Sequence, residues 1–359
     1  MNVKNGDHEH LHEHQQHEYY PQEQNPLDTE DAIVLMRSAN DIVIDRCRKG
    51  NTVLVIGGPT AAGKTETACR LYDLLGSHRC ELLSADARQI YRLLDIGTGK
   101  LTTQELQQYP HHCINIKNPD EYYSAGSFGD ESAMIVEEIL QAGKIPIIVG
   151  GSGLYVRALC EGLFLEEFSE SAEAIRLQLE ERLVAEGIAV LYHELQDVDP
   201  VLAEKYIDLN PRRLVRALSF YHTHHIPLSQ AQRDQRTIRT FDSVQVGLYV
   251  ERSTLYNRIN GRVQSMFDMG LLEETQSILE AGYAPDCNAL NTVGYKECIR
   301  HIAGELSLEE AIFHARQSTR RYAKRQMTWF RKQEAMSWMS APPTEIAHEL
   351  AALAEQLLP

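Results

Sequence analysis

The stretch TVLVIGGPTAAGKTETA, Thr52 to Ala68, decides the reading of the chain. A short apolar run, Val53 to Ile56, enters a glycine pair, and Gly63-Lys64-Thr65 follows. Gly58, Gly63, Lys64 and Thr65 meet the pattern G-x-x-x-x-G-K-[ST]. Such a loop turns its backbone amides inward around phosphate oxygens, and the helix after it adds its positive end. Here the cradle comprises Gly58, Pro59, Thr60, Ala61, Ala62, Gly63, Lys64 and Thr65. Lys64 reaches the terminal phosphates, and the Thr65 hydroxyl can ligate Mg²⁺. An apolar strand before the loop and a helix after it argue against a chance match in a turn. The motif leaves the reaction open: most such loops hold a nucleoside triphosphate, but one can equally hold a pyrophosphate ester.

Outward from this loop the chain repeats strand, glycine turn, helix as far as residue 164. TETACRLYDLLG reads as a helix, CELLSAD as a second strand and SFGDESAMIVEEILQAG as a helix. KIPIIVGG is another strand, and SGLYVRALCEG starts a helix. This alternation predicts a parallel sheet with crossover helices, and ligands in such sheets sit at the carboxyl ends of the strands. Gly57–Thr65, Asp86 and Gly150–Ser152 each follow a strand, so they converge on one mouth. From 165 to 235 the apolar spacing is helical. VQVGLYVER (244–252) returns as a strand, followed by long helices to about 335. The expected architecture is an α/β fold: a P-loop NTPase-like core, 51–164 and 236–340, interrupted by an all-helical insertion, 165–235. Residues 28–49 read as an N-terminal helical extension and 341–359 as a C-terminal helix or tail.

The remaining stretch, 1–27, is polar and rich in His and Glu, and reads as a disordered tail. Its five histidines in HEHLHEHQQH leave a metal-binding tract as the alternative. Composition, 43% hydrophobic and 24% charged, is that of a globular protein, and no apolar run suits a membrane helix. Seven scattered cysteines without a C-x-x-C pair read as reduced thiols of a cytoplasmic protein. Net charge is −16, which by itself argues against a nucleic-acid partner. Between Ile312 and Gln333, however, seven Lys/Arg occur without one Asp or Glu.

Four further features carry chemistry. Asp86, at a strand end beside the P-loop, can position Mg²⁺, take a proton from a nucleophile, or simply cap the next helical turn. Gly150 and Gly151 permit close backbone approach, and the Ser152 hydroxyl can donate to a phosphate or ester oxygen. Arg258 and Arg262 share a helix face, with a solvated basic face as the default reading. In ARQSTRRYAKRQMTWFRKQ, Tyr322, Trp329 and Phe330 interleave with basic residues. That pattern suits phosphate contact and base stacking, or else a surface helix paired with the chain's own acids.

GGPTAAGKT, SADARQIYRLLDIGTGK, PHHCINI, YSAGSF, IPIIVGGSGLYVRAL, NPRRLVRAL, VGYKE and RRYAKRQMTWFR follow one another in an order that resembles the tRNA dimethylallyltransferases. The resemblance spans roughly 51–340. It implies transfer of a dimethylallyl group from dimethylallyl diphosphate to the exocyclic amine of the adenosine 3′ to the anticodon. Gly58–Thr65 would then cradle the diphosphate, with Mg²⁺ shared by Thr65, and Arg262 would bind the same group. Asp86 would accept the amine proton or hold the amine. Ser152 stands where the family usually has Thr, whose hydroxyl contacts the bridging oxygen. Asp86, Ala87, Arg88 and Gln89, with Ser152, match segments that touch tRNA. So do Arg176, the run Arg212, Arg213, Leu214, Val215, Arg216, and the run Asn291, Thr292, Val293, Gly294, Tyr295, Lys296. The partner implied is a tRNA anticodon stem-loop, clasped by the insertion and the basic C-terminal helix of a monomer. An adenylate isopentenyltransferase acting on free nucleotide and a P-loop small-molecule kinase remain as alternatives.

Overall fold

The apolar run ahead of the glycine pair is strand β1 (Thr52–Gly57), buried at all six positions because both its faces are covered. The computed structural model describes residues 47–164, 170–234 and 238–359. The expected 1–27 tail lies outside the described residues, as does the 28–49 extension up to residue 46. After β1 come α1 (Lys64–Leu75), β2 (Cys80–Ser84), α2 (Thr103–Gln108), β3 (His111–His112), α3 (Ala125–Gln141), β4 (Ile145–Val149) and α4 (Gly153–Glu161). The insertion then contributes α5 (Glu170–Glu186), α6 (Ile188–Val198), α7 (Pro200–Lys205), α8 (Pro211–His224) and α9 (Leu228–Asp234). The core resumes with β5 (Asp242–Leu248), α10 (Arg252–Asp268), α11 (Leu271–Glu280), α12 (Tyr295–Ile302), α13 (Leu308–Arg331), β6 (Met336–Met339) and α14 (Pro343–Leu357).

The six strands form one parallel sheet in the order β3-β2-β4-β1-β5-β6. Leu54 of central β1 is in register with Ile147 on one side and Val244 on the other. Side chains alternate across the sheet. Val53 and Val55 join Leu83, Ile148, Phe128 and Phe330 on one face. Leu54 and Ile56 join Leu71, Leu82, Ile147 and Leu350 on the other.

Two elements differ from the sequence reading. β5 runs 242–248 rather than 244–252, because Glu251 ends the extended stretch: its carboxylate accepts from the Ser253 and Thr254 amides, each at 2.9 Å, and caps α10. The chain also does not end its core at 340. β6 pairs with β5, with Trp338 set against Gly247, where a Cβ would lie 2.8 Å from the indole. α14 then lays Ile346, Leu350, Leu353 and Leu357 onto α1. The segment 341–359 is therefore a helix of the core, not a tail.

The insertion has its own apolar centre: Leu179, Leu191, Leu195, Leu202, Leu214, Leu218, Phe220 and Leu228. Buried Asp199 accepts from the Leu202 amide (3.1 Å) and the Ser229 amide (2.8 Å), tying α7 to α9. Where the chain re-enters the core, Arg239 donates to Leu159 O (2.9 Å), Ala158 O (2.9 Å) and Asp130 (3.0 Å). That staple fixes the re-entry against α3 and α4.

Candidate active site

Parallel topology brings the carboxyl ends of β1, β2 and β4 side by side, and the expected mouth forms there. One cavity of about 1130 Å³ is lined by Thr60, Ala61, Gly63, Lys64 and Thr65 of the loop, with Asp86, Arg88 and Gln89 after β2 and Gly150 and Gly151 after β4. Later parts of the chain close it: Arg258 and Arg262 of α10, Asn291–Gly294, Lys296, and Tyr322, Arg325 and Gln326 of α13. Gly58 at φ 130 and Gly63 at φ 94 give the loop its turn, a backbone conformation that strains residues with a Cβ. Gly150 is needed for proximity, since a Cβ there would lie 2.0 Å from Ala85 O.

The two cations nearest the loop, Lys64 and Arg262, are half-buried. Lys64 Nζ donates to Pro59 O at 2.7 Å. Burial pushes its ammonium down to about 8, against the pull of Asp86 and with a further push from Arg262. Arg262 is likewise lowered by burial and held up by Asp86. Room for its guanidinium comes from Gly99, whose Cβ would lie 1.8 Å from Arg262 Nη2. Arg262 is thus no solvated face residue, and neighbouring Arg258, though exposed, lines the same cavity.

Asp86 does two things at once. Its Oδ1 accepts from the amides of Arg88 (2.8 Å) and Gln89 (3.4 Å), which is the capping role. Its Oδ2 accepts from no described group. The Ser152 hydroxyl accepts from the Ala87 amide at 2.9 Å, joining the turn after β4 to the one after β2. Burial lifts the Tyr322 phenol to about 12, so it stays a neutral donor. Arg88 is anchored to Asn288 O (2.6 Å), and Gln89 accepts from Ser84 Oγ (3.0 Å).

Five residues expected at a tRNA surface are buried: Thr292 and Gly294, which still line the cavity, and Tyr295, Leu214 and Val215, which face inward. Tyr295 is fully enclosed: it donates to Glu274 at 2.5 Å and accepts from the Gly97 amide at 3.2 Å. Glu274 also accepts from the Asp95 and Ile96 amides, so the pair clamps the 95–97 turn. Leu214 and Val215 face the insertion's apolar centre, since α8 must bury one stripe. Arg212, Arg213 and Arg216 remain exposed, away from the cavity wall. Arg176 is held by Glu173 at 2.6 Å and by Glu180, so its charge is already matched.

The basic helix contrasts with Arg176. No ion pair between described residues involves its six cations or Lys332 just after it. Arg316 and Arg320 donate to the neutral amides of Gln264 (2.6 Å) and Asn260 (2.7 Å), and Arg325 lies 5.7 Å over the Tyr322 ring. Among the described residues, the alternative of a helix paired with the chain's own acids is not what forms. The sequence reading missed Gly99, the Glu274–Tyr295 clamp, Tyr322's place in the mouth, and Gln326. Tyr322 alone carried a signal, as an aromatic among cations.

A Gly-rich loop at the head of a parallel sheet, with half-buried cations and a carboxylate that keeps one oxygen free of described partners, defines an α/β protein of the P-loop class. The family model for IPP transferase matches residues 89–333. The tRNA dimethylallyltransferase 1 of Syntrophotalea carbinolica is 40% identical over 301 residues, 84% of this chain and 94% of that one. The crystal structure of the tRNA isopentenylpyrophosphate transferase of Bacillus halodurans superposes with a TM-score of 0.61 at 35% identity, covering 86% of this chain and 98% of that one. A eukaryotic dimethylallyltransferase acting on tRNA gives 0.63 at 29% identity, covering 78% and 70%. The chain belongs to the IPP transferase family.

Proposed function

We propose that the chain transfers a dimethylallyl group from dimethylallyl diphosphate to the exocyclic amine of the adenosine 3′ to the anticodon in tRNA. The observation that carries this is one cavity lined both by the phosphate cradle with Asp86 and by the basic helix α13. The reaction breaks the allylic C–O bond and forms an N–C bond. Its electron pair leaves on the diphosphate, and the amine proton goes to a base.

The growing negative charge meets Lys64, Arg262 and the amides of Ala61, Gly63, Lys64 and Thr65, which donate to no described group. Asp86 Oδ2 accepts the amine proton while Oδ1 holds the turn. The Ser152 hydroxyl, with its oxygen occupied by Ala87, keeps a proton to donate to the bridging oxygen. Thr65 Oγ1 has no described partner, and a lone hydroxyl beside phosphates suits Mg²⁺, which keeps waters and shares substrate oxygens. Mg²⁺ there would neutralise charge on the departing diphosphate. The amine is reached by taking the adenine out of the anticodon-loop stack. Cations of α13 paired only with neutral amides retain their charge for phosphates, with Arg88, Gln89, Asn291–Gly294 and Lys296 around the mouth. Arg212, Arg213 and Arg216 extend this to the insertion. Among the described residues no helix is long and apolar enough to cross a membrane. We take the protein to act as a cytoplasmic monomer.

Supplying AMP and an anticodon stem-loop in parallel, with dimethylallyl diphosphate and Mg²⁺, tests the substrate. Prenylation of the stem-loop alone supports the reading. Prenylation of AMP alone would assign the chain to free nucleotide.

A further inference from the structure

Helix α13 sits on the phosphate mouth through one face. Gln326, Trp329 and Phe330 lie three and four residues apart, so they point the same way. Each meets a glycine: a Cβ at Gly151 would lie 2.2 Å from Gln326 Nε2, at Gly153 2.0 Å from the Trp329 ring, and at Gly57 2.9 Å from Phe330. Within this contact Gln326 does something the two aromatics do not. Its Oε1 accepts from the Thr60 amide at 2.8 Å and its Nε2 donates to Gly151 O at 2.9 Å. The side chain is 6% exposed.

We propose, on the reading that the loop holds the substrate's diphosphate, that Gln326 is a positioning residue for the cradle. It joins the loop after β1 to the turn after β4 before any anion arrives. The chemistry calls for an amide. One side must offer an acceptor and the other a donor, which a carboxylate, an ammonium or a guanidinium does not provide. With the Thr60 amide satisfied internally, the donors left for the ligand begin at Ala61. The loop's shape is set in advance, and the cost of ordering it does not fall on diphosphate binding. The same helix presents Arg321, Lys324 and Arg325 as exposed cations, so the residue that sets the cradle belongs to the element proposed to meet tRNA.

The test uses the full chain with Mg²⁺ and inorganic pyrophosphate as the probe, by titration calorimetry, together with steady-state kinetics. Gln326→Met keeps the length and removes both polar ends. Pyrophosphate affinity is expected to fall, and KM for dimethylallyl diphosphate to rise, by about three- to tenfold, the loss of a net hydrogen bond or two. KM for tRNA and saturated kcat should stay within about twofold on the same argument. Gln326→Glu should bind pyrophosphate more weakly than Gln326→Met, because it sets an acceptor against Gly151 O and a charge beside the cradle. In the unmutated chain, hydrogen exchange at the Thr60 amide should be slow without ligand and unchanged by pyrophosphate. The proposal is overturned if Gln326→Met binds pyrophosphate like the unmutated chain, if Gln326→Glu binds it as well as Gln326→Met, or if the Thr60 amide exchanges at the rate of an open loop. Pyrophosphate binding needs no prenyl transfer. An unmutated chain that binds pyrophosphate but prenylates no tRNA therefore counts against the proposed function and not against Gln326.

Discussion

Replacing Asp86 by Asn separates its two roles. Asparagine keeps an oxygen where Oδ1 accepts from the Arg88 and Gln89 amides at 2.8 and 3.4 Å, so the turn after β2 survives. The melting temperature should stay within about 2 °C, as expected of a change below about 0.5 kcal/mol in a domain of this size. What is lost is the proton acceptor at Oδ2, and loss of general-base catalysis costs about 10²–10⁴-fold. A second consequence follows from Lys64. Its ammonium, pushed down to about 8 by burial, is held there partly by Asp86. Without that charge it loses its proton more easily, so the free Asn variant binds diphosphate more weakly above neutral pH. A bound diphosphate restores the charge, and the loss in kcat at saturation therefore reports the base alone. Steady-state kinetics with both substrates saturating, beside pyrophosphate titrations at two pH values, separate the effects. A kcat within a few-fold of the unmutated chain, with folding intact, would refute the proton-accepting role and leave Asp86 as a cap.

Gly99→Ala should displace Arg262, because the new Cβ would lie 1.8 Å from Nη2 at a φ of 61. It should reproduce part of the roughly 10²-fold loss in kcat expected of Arg262→Ala, and unchanged kinetics would show that Arg262 does not work where it sits. Affinity for pyrophosphate in the free chain should fall as pH rises through about 8, where Lys64 loses its proton; Lys64→Ala should remove this limb. Arg321→Gln and Lys324→Gln should each reduce the slope of log affinity for tRNA against log salt by about 0.7–0.9. A slope that does not move would take those residues off the tRNA surface.

The legible parts of this molecule were those written in local pattern. β1 and its loop could be read because a buried strand, two glycines and Gly-Lys-Thr are contiguous. Asp86 and Gly150 could be placed at the same mouth because parallel strands put all their carboxyl ends on one side. The insertion showed itself by helical spacing. What stayed hidden depends on partners far away in sequence. Gln326 looks like an ordinary polar residue in a basic helix, yet its partners lie 266 and 175 residues earlier. Gly99 shows its purpose only when Arg262 arrives from α10. β6 has four residues, too few to show a period, and becomes a strand only because β5 offers an edge. Tyr295, Leu214 and Val215 sit in runs matched to tRNA contact as blocks, and only burial separates the members that face inward.

The central claim is that the loop holds a leaving diphosphate while Asp86 faces an adenosine of tRNA. Mass analysis of nucleosides from unmodified tRNA, after incubation with the chain, dimethylallyl diphosphate and Mg²⁺, tests it directly when diphosphate release is measured in the same reaction. The account predicts one dimethylallyl group on the adenosine 3′ to the anticodon for each diphosphate released. Unmodified tRNA, or phosphate transferred from ATP with no prenylated nucleoside, would contradict it.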